Sequence, residues 1–157
     1  MRLFVPLFFI FFWAPAFGQV KTTQKHFSVE SATQRKWSPG VVQKNAKREG
    51  GMIYEVVVKV KKGGDYQFTY LIVEGQPLEI EVIADGQRNA KGPFSKRSKI
   101  TLVSRAEAGK TITADAKWKE SLPPTDSKQV WLAYQLGTKQ YLLAIPAWRE
   151  AGTPQNQ

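Results

Sequence analysis

From Met52 to Asp85 apolar and polar residues alternate with a period of two, and clusters of Gly, Pro and Asp interrupt the alternation every eight or so residues. That pattern limits the chain to strands joined by turns. Tyr54, Val56, Val58 and Val60 share one face, while Glu55, Lys59 and Lys61 lie on the other beside Ile53 and Val57. The Lys62-Gly63-Gly64-Asp65 turn leads into a second run, Tyr66 to Val73, so the two runs read as a hairpin. After Glu74 to Pro77, Leu78, Ile80, Val82 and Ala84 alternate with Glu79, Glu81, Ile83 and Asp85 in a third strand.

Further strands are predicted at Lys99 to Val103, Thr111 to Trp118, Val130 to Leu136 and Gln140 to Ile145, the last two joined across Gly137 and Thr138. Phe27 and Val29 suit a short edge strand, and Trp37 to Gly51 reads as loop. The helix candidates, Val41 to Arg48 and Ala147 to Ala151, are short and poorly patterned. Seven or eight such strands without crossover helices predict an all-β protein, a single antiparallel sandwich of immunoglobulin-like type, with a small closed barrel as the alternative.

The first eighteen residues read as an export signal: Arg2 gives a positive start, Leu3 to Trp13 an uncharged apolar core, and Ala16-Phe17-Gly18 the small residues of a cleavage site. Spanning a bilayer takes roughly 20 apolar residues, and this stretch contains Pro6 and Pro15 and meets Gln19 and Lys21, so cleavage rather than anchoring is expected. Residues 19–157 then form one domain, with a flexible start at 19–25 and a loose tail at 149–157. No later stretch is apolar enough to cross a membrane. A secreted or periplasmic location follows.

Cysteine is absent, which excludes disulfides, a thiolate nucleophile, thiolate metal ligands and a lipidated cysteine. No Asn-x-Ser/Thr sequon occurs, which suits a bacterial chain. Trp37, Pro39, Gly40, Gly50, Gly51 and Tyr54, leading into paired strands, resemble the start of uncharacterised exported β-sandwich proteins of Gram-negative bacteria. The resemblance covers roughly Thr33 to Val82, implies the sandwich fold, and brings no activity or site residues with it.

Only Arg2 of the 23 basic residues falls in the signal, leaving 22 basic against 13 acidic residues, a charge of +9. Such a charge attracts polyanions, and outside the cell these include acidic polysaccharide, lipopolysaccharide and anionic lipid. The strongest concentration is the 86–99 loop, where Arg88, Lys91, Lys96, Arg97 and Lys99 occur with no acidic residue. Phe94 within it offers a ring for stacking on a sugar, and Trp118 is a second candidate. Trp131 is expected to be buried in a strand covered on both faces, with Trp37 and Trp148 closing the ends of the core.

Catalytic sets are thin. His26 is the sole histidine and stands in the approach to the first strand. Glu79 and Glu81 share a strand face about 6 to 7 Å apart, a separation that overlaps glycosidase geometry, and Asp85 nearby would complete a weak calcium site. Gly109-Lys110-Thr111 resembles the end of a phosphate loop, but Ser104 stands where its first glycine belongs. The expectation is therefore a non-enzymatic binding or structural module without cofactor, metal or catalytic residues. It would engage an acidic or carbohydrate polymer at the cell surface, with no specific nucleic-acid partner. A small glycan-active hydrolase is the alternative.

Overall fold

The computed structural model of the chain describes residues 20–38, 50–123 and 128–150. The export signal, the helix candidate Val41 to Arg48, Pro39 and Gly40 lie outside the described residues, as does the tail from 151. The strands are β1 (Lys21–Thr22), β2 (Phe27–Trp37), β3 (Gly51–Val60), β4 (Tyr66–Val73), β5 (Gln76–Glu79) and β6 (Glu81–Ala84). They continue with β7 (Gln87–Arg88), β8 (Lys99–Glu107), β9 (Val130–Leu136), β10 (Lys139–Ile145) and β11 (Arg149–Glu150); one short helix, α1 (Ala116–Lys119), precedes β9.

Two sheets pack face to face as a β-sandwich, one ordered β1-β10-β9-β4-β5 and the other β11-β2-β3-β8-β6-β7. Neither closes into a barrel. The long strands pair antiparallel, but β1 with β10 and β11 with β2 run parallel, so both sheets are mixed rather than purely antiparallel. Between them lies the core predicted from the alternation: Val56, Val58, Val60, Ile100 and Leu102 from one sheet meet Leu71, Leu132, Tyr134 and Leu143 from the other. Each aliphatic side chain buried there contributes about 1.5–3 kcal/mol.

Several expectations are corrected by partner choice. The Lys62–Asp65 turn makes no hairpin, because β3 pairs with β2 and β8 whereas β4 pairs with β5 and β9. The turn instead arches from one sheet to the other. The Leu78 to Asp85 run also divides: β5 belongs to one sheet and β6 to the other, with the switch at Ile80. The edge strand expected at Phe27 and Val29 is an eleven-residue strand, bulged between Val29 and Ser31. Trp148 packs against the core as expected, beside Tyr54, and the expected helical turn is replaced by β11 at Arg149–Glu150, with Ala151 outside the described residues.

The largest correction concerns Thr111 to Trp118, which is no strand. Asp115 caps α1 by accepting the Trp118 amide at 3.2 Å, and the Tyr70 hydroxyl accepts the Asp115 amide at 3.2 Å. These bonds hold the segment across the outer face of a sheet, where Trp118 and Ala114 cover Ile72, Ala133 and Leu142. β9 is thereby buried on both faces, and Trp131 is half-buried beside this second cluster. Two hairpins are tight: Glu74-Gly75 and Asp85-Gly86 both have positive φ, the geometry that matches the twist of paired strands.

Candidate functional site

Three loops meet at one end of the sandwich and are sewn together by backbone hydrogen bonds. The Lys61 amide donates to the His26 carbonyl at 2.7 Å, joining the approach to β2 to the β3–β4 arch. Gly64 and Phe94 exchange amide and carbonyl bonds at 3.0 and 2.9 Å, joining that arch to the long 86–98 loop. The Arg97 amide donates to the Val60 carbonyl at 2.8 Å, which holds Arg97 at a φ of 74°. For a non-glycine residue that conformation is uncommon and strained.

The same three loops carry Lys25, Lys61, Lys62, Arg88, Lys91, Lys96 and Arg97 against only Asp65 and Asp85. All of these cations are exposed. Arg88 is neutralised by Glu81 at 3.5 Å, and Lys99, at the start of β8, by Glu30 at 2.9 Å. Among the described residues Lys25, Lys62, Lys91, Lys96 and Arg97 have no carboxylate partner. The sequence showed one basic loop; folding adds Lys25, Lys61 and Lys62 to it.

The two aromatic candidates are otherwise engaged. Phe94 is 8% exposed and its ring lies 5.9 Å from that of Phe68, so it anchors the loop to the core. Trp118 is fully buried on the outer face of the other sheet. Neither ring face is open to a sugar, and the two do not converge with the basic loop on one surface. What the predicted site retains is its charge.

His26 is likewise packed into the structure. Only 9% exposed, its Nδ1 lies 2.9 Å from the Tyr134 hydroxyl and its ring meets Tyr141 edge to face at 4.8 Å. Burial, together with Lys62 and Lys25, lowers its pKa below the ordinary 6.5, so the ring stays neutral at pH 7. Burial raises the pKa of Tyr134, whose hydroxyl keeps its proton and suits a bond donated to a neutral Nδ1. Nothing in the spacing of His26 and Tyr134, 108 residues apart, could have announced this pair.

The carboxylates lie elsewhere. Glu79 ends β5, Glu81 begins β6, and both line a cleft of about 590 Å³ formed where the chain leaves one sheet for the other. Its walls include Leu78, Ile80, Asn89, Val103, Arg105, Glu107 and Ile112. Glu81 is tied to Arg88, and Glu107 is tied to Lys110. Among the described residues no three acidic or histidine side chains gather to hold a metal ion. No protein-family model, no curated protein and no solved structure matches the chain, so its geometry alone carries the functional argument.

Proposed function

We propose that this is an exported, non-enzymatic binding module of immunoglobulin-like type, whose basic end engages an acidic polymer such as a polysaccharide or lipopolysaccharide. The observation that supports it most is the backbone stitching of three loops that carry the exposed Lys25, Lys62, Lys91, Lys96 and Arg97, none of which has a carboxylate partner among the described residues. Like charges gathered this way repel, and a rigid scaffold holds them at a cost that a polyanion removes. Recognition of this kind is electrostatic and tolerant of the polymer's sequence. In the hydrolase alternative the carboxylates would be Glu79 and Glu81, which line one cleft from different sheets, with Glu81 paired to Arg88.

Binding to a heparin fragment, followed by calorimetry across a salt series, tests the proposal. Affinity should fall linearly with salt on a logarithmic scale as counterions are released. Replacing Lys62, Lys96 and Arg97 together by Ser should cost about tenfold at low salt and flatten the slope, given up to ~1 kcal/mol per exposed charge pair. An unchanged slope in that variant sinks the reading.

A further inference from the structure

The hydrogen-bonding phase of the six-stranded sheet leaves one strand edge without a pairing partner among the described residues, beside the 590 Å³ cleft. The Val60 amide donates to the Ser98 carbonyl at 2.9 Å, whereas the next amide, Lys61, turns the opposite way to the His26 carbonyl. Direction alternates residue by residue along an antiparallel strand, so even-numbered residues of β3 address β8 and odd-numbered ones address β2. The register pairs Tyr54 with Ser104 and Met52 with Ala106, which gives those β8 residues their bonds to β3. Val103 and Arg105 therefore turn their amides and carbonyls to the other side.

On that side Val103 meets Glu81, the first residue of β6. Beyond it the chain has left for the other sheet at Ile80, and among the described residues no strand pairs with Arg105 there. A backbone donor and acceptor thus face the cleft together. The Arg105 side chain is exposed and has no carboxylate partner among the described residues, while Leu78, Ile80 and Ile112 supply apolar walls.

We propose that this cleft takes an extended peptide of a partner protein, added antiparallel to β8 in the place that β6 vacates. Peptide backbone is the complement of an unpaired strand edge, and alternate side chains supply selectivity. The residue opposite Arg105 would point outward beside its guanidinium and should be acidic. Its two neighbours would point inward and should be apolar. The required pattern is apolar–acidic–apolar in extended form.

The test uses the whole chain, the probe acetyl-Thr-Val-Glu-Val-Thr-amide, and amide hydrogen exchange read by NMR. Without peptide, the Arg105 amide should exchange rapidly while Leu102, bonded to β3, is protected. Saturating probe should slow Arg105 at least about tenfold and leave Leu102 unchanged. A probe N-methylated at its glutamate should fail to bind, and Arg105→Ala should weaken the parent probe by about two- to fivefold while keeping the amide protection. An Arg105 amide already slow in the free protein, no slowing with probe, or equal binding of the N-methylated probe would each overturn the proposal. Polyanion binding at the opposite site is untouched by any of these outcomes.

Discussion

The basic end and the sheet-switch cleft use the same residue types and arrange their charges in opposite ways. At the basic end, five cations on three bonded loops have no carboxylate partner among the described residues, and only Asp65 and Asp85 stand near them in the chain. In the cleft Glu81 is matched by Arg88 and Glu107 by Lys110, so its distinctive features are the Arg105 guanidinium and the backbone groups of β8 beside it. Uncompensated charge suits a diffuse polymer, whereas a balanced cleft with an open strand edge suits a ligand read by hydrogen bonds. The lesson is that charge density alone marks only one kind of site.

Breaking the basic end most severely is Phe94→Ala, which should cost about 3–5 kcal/mol in denaturant unfolding because the ring is a core anchor. A ligand-stacking Phe94 would instead leave stability unchanged and lower only affinity. Trp118→Ala should cost a similar 3–5 kcal/mol while sparing heparin binding, since it lies on the far face of the other sheet. Loss of heparin binding in a folded Trp118 variant would join two regions that the fold keeps apart.

Smaller effects refine the contrast. Arg97→Gly should raise stability by about 1 kcal/mol through relief of its left-handed backbone while weakening heparin binding, so stability and affinity move in opposite directions. Acidification tests the His26 pair. Its pKa is lower folded than the 6.5 of the free side chain, so below pH 6.5 the unfolded chain binds more protons and stability falls with pH. Thermal melts of His26→Gln should lose that component of the acid slope below pH 6.5. Arg88→Ala, which frees Glu81 in the cleft, should change unfolding by less than about 1 kcal/mol because the pair is exposed.

Local pattern carried the elements far better than their partners. The alternation at β3, β4, β8, β9 and β10, and the Gly137-Thr138 turn between the last two, were legible because each depends on neighbours in the chain. An arch between sheets and a hairpin within one begin with the same turn residues, which is why Lys62–Asp65 misleads. Leu78 to Asp85 misleads for a subtler reason. Both inner faces of a sandwich look onto one core, so Leu78, Val82 and Ala84 stay inward through the change of sheet and the alternation shows no break.

The amino-acid sequence by itself determined an all-β chain, a core made from alternate residues, and a loop dense in lysine and arginine. Those follow from period, turn chemistry and composition, all of which act over a few residues. Only the tertiary structure decided that Lys25, Lys61 and Lys62 join that loop, that Phe94 and Trp118 are packing residues, and that β6 stops pairing with β8 at Val103, leaving Arg105 with no strand partner on that side among the described residues. Each depends on which distant strand supplies the partner, a choice settled by long-range pairing and shared burial rather than by the residues alongside.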